Sequence, residues 1–313
     1  MTTATASPRA KLRPADRIFS TATLVAGSLI LLALAAVAVF LVAQSVPALV
    51  ADPADLKGSP TSFWAYVLPL AFGSVWAAFL ALLMALPISF GIALFISHYA
   101  PRRVAQGLGY VIDLLAAVPS VVFGLWGIKV LAPAVTPLYG WLVDNAGWFP
   151  LFAPPVSGTG RTILTVAIVL AVMIIPIITA VSREVFLQTP RLHEEAALAL
   201  GATRWEMIQM AVIPFGRPGM ISAAMLGLGR ALGETMVVAM VLSPSPGLIT
   251  FVLTGSQNSS TIAGNIALNF PEAHGVDVNA LIATGLILFA ITLVINSIAR
   301  VVINRRKAFS GAN

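Results

Sequence analysis

Apolar residues in this chain come in long unbroken runs, not in the alternating or 3.6-residue patterns of water-soluble elements. No Asp, Glu, Lys or Arg occurs over residues 18–51, 162–182 or 278–299. A helix needs about 20 apolar residues to cross a hydrocarbon core, whereas a barrel strand needs about 10. Runs of this length predict membrane-spanning helices. Six are expected, at residues 24–43, 68–97, 110–131, 162–181, 220–242 and 280–303. Pro69, Pro87, Pro119 and Pro176 fall inside them, which a membrane bundle tolerates when neighbours satisfy the freed carbonyls.

Composition agrees. Of the 313 residues 58% are hydrophobic and 10% charged, and the mean hydropathy is +0.95. A soluble domain is about a quarter charged, so a water-soluble enzyme, a disordered tail and a coiled coil are all excluded. The net charge of +6 does not point to nucleic acid, because its position along the chain follows membrane topology. Fourteen of the 18 Lys and Arg residues lie in the two termini or in the second and fourth connections. Lys57 and Arg161 lie in the other connections, and Lys129 near the end of the third helix. The positive-inside rule then places both termini in the cytoplasm. Residues 1–17 are polar and basic, and the apolar run after them lacks an A-x-A cleavage site, so it reads as a first membrane helix. Cysteine is absent and the three histidines show no metal-ligand spacing, which removes disulfides and thiolate metal sites.

The outer connections are expected to be irregular. The second, over residues 132–161, is rich in Pro, Gly and aromatics (Tyr139, Trp141, Trp148, Phe149) and suits a chain lying at the interface. In the third, over residues 243–279, a short interfacial helix is expected at 262–269.

The fourth connection, over about residues 183–219, carries the most local detail. Thr189-Pro190 reads as an N-cap followed by proline at the first helical position. A short helix through Glu194-Glu195-Ala196-Ala197 should stop at Gly201, a residue suited to a left-handed C-terminal cap. Thr203-Arg204-Trp205-Glu206 has the spacing of a capping box and opens a second short helix, which Pro214 is expected to end. On pattern alone this is an amphipathic hairpin that either lies on the membrane surface or offers its alanines to a partner.

Glu195-Ala196-Ala197, then Gly201, then Ile213-Pro214 resembles the EAA motif of binding-protein-dependent ABC importer permeases, with Ala211 and Ile213 where the family pattern has Ile and Leu. The segment Gly229-Arg230-Ala231-Leu232-Gly233-Glu234-Thr235-Met236 and the run from Ala116 to Gly127 resemble the phosphate-specific branch, and Met-Val-Val after Gly-Glu-Thr resembles its PstC type more than its PstA type. The likeness covers about residues 68–303. It implies an all-α membrane protein with six transmembrane helices, the type I (MetI-like) permease fold and a cytoplasmic coupling hairpin. By it the chain divides into a cytoplasmic tail (1–17), a first helix with its outer loop (18–67), the permease core (68–303) and a second tail (304–313).

The resemblance also implies function: one half of the pathway of an ATP-driven phosphate importer, with no chemistry of its own. Implied partners are a second, PstA-like permease, a cytosolic PstB-like ATPase dimer, an extracytoplasmic PstS-like phosphate-binding protein and membrane lipid. The chain holds no Gly-x-x-x-x-Gly-Lys-Ser/Thr loop, so no cofactor is expected here; ATP and Mg belong to the ATPase. Glu194, Glu195, Ala196, Ala197, Gly201, Thr203 and Glu206 would meet that ATPase.

Arg230 and Glu234 lie four residues apart, so one helical face midway through the fifth span should hold both. Two readings follow: a self-neutralising pair that fixes packing, or an Arg230 facing a polar pathway, where a guanidinium fork suits an oxyanion. In the second, Glu234 holds Arg230 or competes with the anion, and Thr235 and Ser120 add polar groups. Gly229 and Gly233 form a small-xxx-small packing pair. Rival readings are a permease for another oxyanion or small solute, and an ion-driven carrier using Glu234 or Asp113. An intramembrane hydrolase has no nucleophile–base constellation here.

Overall fold

The computed structural model describes residues 14–52 and 61–307. Most of the N-terminal tail, with Arg9, Lys11 and Arg13, and the end of the C-terminal one lie outside that range, as does Lys57. Among the described residues six helices are long and apolar enough to cross a membrane. In order they are α1 (Pro14–Val50), α2 (Phe63–Leu94), which runs on through a π turn at Phe95–Tyr99, a helix over Ser120–Ala146, α6 (Ile163–Leu187), a helix over Arg204–Leu232, and the last, α12 (Val276–Lys307).

The centre is α6, whose buried Val166, Leu170, Ile174 and Ile178 meet α2 on one side and α9 (Ile213–Leu232) on another. Helix α9 closes on α6 through missing side chains. A Cβ at Gly219 would strike Val185, and one at Gly227 would strike Ile178. The packing glycines are therefore Gly219 and Gly227, and not the expected Gly229 and Gly233. Gly229 faces open space, and Gly233 is the C-cap of α9. Helix α1 lies along α12, away from this centre.

Several expectations fail, most of them at a proline or glycine. The third span is not residues 110–131. Helix α3 (Arg102–Ala116) is a separate amphipathic element on α6, and it carries Asp113 in its last turn. Val118 precedes Pro119, and the residue before proline is pushed out of the helical region. The chain breaks there and α4 (Ser120–Trp126) starts the true span, which passes a π turn at Gly127–Leu131 into α5 (Ala132–Ala146). The expected interfacial loop is accordingly half helix. Tyr139 is fully buried, its hydroxyl 2.8 Å from Thr165 Oγ1, while Trp148 stays 83% exposed.

The fifth span is likewise displaced. Pro214 does not end the second short helix, α8 (Arg204–Met207); a π turn at Ile208–Val212 carries it into α9, with Pro214 in the first turn. The wider turn accommodates a ring that lacks an N–H. The span then stops at Leu232. After Gly233, a second short helix α10 (Met236–Val241) begins. In the third outer connection α11 forms over Ile262–Asn269 as expected, but it packs into the bundle on α2, α10 and α12. Its first turn is pinned where Ser74 Oγ on α2 accepts from Ile262 N at 2.8 Å.

Candidate functional site

Two sites stand out, one at the break in α9–α10 and one in the fourth connection, between α6 and α9. Because α9 ends at Leu232, Arg230 and Glu234 do not share a helical face. Arg230 occupies the last turn of α9, where the helix dipole favours a cation. Glu234 turns the other way. Its Oε1 accepts from Met236 N at 3.1 Å and Val237 N at 3.2 Å, so it caps α10. Only 8% exposed, that carboxylate satisfies two of the orphan donors at the start of α10. Among the described residues neither an ion pair nor a hydrogen bond reaches Arg230.

The far end of α10 is met by an arginine from the connection just before α6. Arg161 donates to the carbonyls of Met240, Val241 and Leu242 at 3.2–3.4 Å. A carboxylate at its start and a guanidinium at its end thus hold this six-residue helix within the bundle. Asn258 fixes Arg161 in turn. Fully buried, it donates to the carbonyls of Arg161, Ser243 and Gly255 and accepts from Ile163 N at 2.9 Å.

Helix α4 lies beside α10. Gly124 faces Met236, Val237 and Met240, and Gly127 faces Val241, so the two run in the same direction with their first turns adjacent. Ser120, Glu234 and Thr235 are thereby brought to one level. Arg230 points elsewhere, into a cavity of about 700 Å³ between α6, α9 and α12, lined by Ile177, Ser222, Met225, Gly229, Arg230 and Asn296 among others. Ser120, Glu234 and Thr235 are not among its lining residues. Asn296, a carboxamide deep in the apolar run of the sixth span, is a residue the sequence reading passed over. The rarity of such groups at membrane depth is the signal that would have found it.

In the fourth connection, α7 (Arg191–Ala199) and α8 form the hairpin. Gly201 has φ +87°; its N–H donates to Leu198 O and that of Ala202 to Ala197 O, the paired bonds of a Schellman close. The capping box is complete. Thr203 Oγ1 accepts from Glu206 N at 3.3 Å, and Glu206 Oε2 accepts from Thr203 N at 2.7 Å. Thr189 is one position too early to cap α7; Pro190 holds that place, and the Thr189 hydroxyl is buried without a partner. The hairpin is tied to the core by an unforeseen contact. His98 Nε2, on the π turn ending α2, lies 3.5 Å from Glu194 Oε1, and Ser97 Oγ holds its other ring nitrogen at 2.6 Å. Leu192 and Leu200, the latter 90% exposed, face outward from α7 and its cap.

Residues 89–308 match the model of the binding-protein-dependent transport system inner membrane component. The chain belongs to that family. It is a multi-pass inner-membrane permease component. The phosphate transport system permease protein PstC 2 of Mycobacterium tuberculosis is 44% identical over 93% of this chain and 93% of its own length. PstC of Mycobacterium leprae is 44% identical over 85% and 86%, and PstC of Pasteurella multocida 41% over 76% and 74%. Among solved structures, a bacterial ABC transporter importing the acidic polysaccharide alginate superposes with a TM-score of 0.59 at 16% identity, covering 92% of this chain and 99% of that one. The MetNI methionine transporter, in inward-facing form, gives 0.51 at 16% identity, covering 74% and 93%. These two establish the MetI-like fold.

Proposed function

We propose that the chain is one permease subunit of an ATP-driven importer of inorganic phosphate. The observation that carries this reading is the 44% identity across nearly the whole length of a phosphate permease, together with an unpaired guanidinium facing a membrane cavity. An arginine at membrane depth costs at least about 2.5–3.5 kcal/mol, and here no carboxylate neutralises it. A passing oxyanion is the partner its fork suits. Glu234, Thr235 and Ser120 do not line that cavity; they belong to the first turns of α4 and α10, where Glu234 acts as a cap.

The hairpin of α7 and α8 is the docking surface for the ATPase dimer, which binds ATP and Mg. Glu194, Glu195, Ala196, Ala197, Gly201, Thr203 and Glu206 form or shape that surface, and the exposed Leu192 and Leu200 supply apolar contact. Both termini and the hairpin lie in the cytoplasm by the positive-inside rule. A second permease completes the pathway, and a phosphate-binding protein delivers cargo from outside. Labelled phosphate uptake, with sulfate as competitor, in a strain lacking its own importer tests the whole reading. Uptake that requires this chain and resists sulfate supports it; uptake of sulfate alone, or none with an assembled ATPase, defeats it.

A further inference from the structure

The cavity holding Arg230 contains a second polar wall that the functional reading does not use. Asn296 belongs to α12, eleven residues before its end, and lies across the hollow from α9. Like Arg230, it has no hydrogen-bond partner among the described residues. A second, smaller hollow of about 10 Å³ adjoins the first, lined by Gly229, Thr292 and Asn296 among others, which is room for about one water. Gly229 contributes through what it lacks: nothing lies within 4 Å of its absent Cβ, so space stays open beside Arg230. The remaining polar group, the Ser222 hydroxyl, spends its proton on Pro218 O at 3.0 Å. It is left able only to accept. Ser222 and Arg230 are eight residues apart on α9, about 12 Å along the axis.

In the single chain Arg230 and Asn296 are exposed along an open groove; at membrane depth two such polar side chains, with no bond among the described residues, are costly unless the groove is wet or receives a ligand. We propose that Asn296 is a second anion-contacting residue, paired with Arg230 across the cavity, and that phosphate passes between them. The guanidinium supplies charge and donors. The Asn296 amide supplies a further donor and, through Oδ1, an acceptor for the hydroxyl hydrogen that phosphate carries at neutral pH. Ser222 accepts lower in the same cavity. The proposal rests on the phosphate reading above and adds a residue to it.

The test uses the assembled importer. Asn296→Asp keeps size and shape but places a negative charge on the route, and Asn296→Leu removes the donor. Each is expected to lower initial phosphate uptake about tenfold or more, the scale of one hydrogen bond to a charged group. Co-purification of the ATPase and its stimulation by loaded binding protein should stay within twofold of the parent, which a merely structural role would not allow. Because the chain has no cysteine, Asn296→Cys creates its only thiol. A sulfonate-bearing methanethiosulfonate reagent should modify it, more slowly with added phosphate. Val294→Cys, two residues away on the opposite face and 56% exposed in the isolated chain, should stay unmodified. Normal uptake by both Asn296→Asp and Asn296→Leu, with Arg230→Met inactive, overturns the role of Asn296 and leaves Arg230 in place. Normal uptake by Arg230→Met overturns the pathway reading itself. If the Asn296→Asp complex fails to assemble, the thiol decides, and an unreactive Asn296→Cys overturns the proposal.

Discussion

Single residues in this chain act through backbone groups more than through one another. Glu234 shows this. Four residues after Arg230, it invites an ion-pair reading, yet its carboxylate is committed to two amides at the start of α10. Glutamine retains an oxygen able to accept both bonds, so Glu234→Gln is expected to assemble and transport at a reduced but measurable rate. Arg230→Met should abolish uptake, and adding Glu234→Gln to it should restore nothing, since no buried charge pair is being re-neutralised. Arg230→Lys should also be impaired, because one ammonium cannot reproduce the fork. Uptake assays beside a check of assembly decide this; transport returning in the double variant would show that the charges do couple.

Gly201 is a second case at this scale. Its φ of +87° costs an ordinary L-residue about 1–2 kcal/mol, while the space around its absent Cβ is empty. The constraint is thus conformational and not steric. Gly201→Asn, which tolerates a left-handed backbone, should keep ATPase co-purification near normal. Gly201→Val should reduce it severalfold while leaving membrane insertion intact. Equal co-purification of both variants would remove the hairpin from docking.

At the scale of elements, the unusual feature is a six-residue helix, α10, suspended between breaks. A segment this short is not stable alone; its ends are completed by Glu234 and Arg161, and Arg161 is fixed by Asn258. Asn258→Leu would leave several buried backbone groups unbonded at about 1–3 kcal/mol each. The detergent-solubilised complex should therefore melt several degrees lower. An unchanged melting temperature would mean that water or other groups replace the amide. The hairpin differs: its caps, Gly201 and the Thr203–Glu206 box, are local in sequence and were readable there. Asn258 gathers groups up to 97 residues distant, and no local pattern announces such a hub.

For the whole molecule, orientation is open to direct measurement because native thiols are absent. Leu200→Cys in the hairpin and Trp148→Cys in the second outer connection both occupy exposed positions. An impermeant thiol reagent added to spheroplasts should modify Trp148→Cys at once and Leu200→Cys only after the membrane is opened. The reverse order would invert the topology and remove the hairpin from the cytoplasm.

The number of membrane helices and their all-α class were determined by the sequence alone, because uncharged runs are one-dimensional properties that the bilayer reads directly. The hairpin's turn chemistry was legible for the same reason, since caps act within about four residues. Placing the third and fifth spans required the tertiary structure. Pro119 and Gly233 break helices inside apolar stretches, and only packing of α4 on α10 and of α3 on α6 decides which side of each break crosses the membrane. The cavity, too, was decided only by folding. Arg230 and Asn296 are 66 positions apart in the chain, and it is the approach of α9 to α12, with Gly229 leaving room between them, that turns two isolated polar residues into one site.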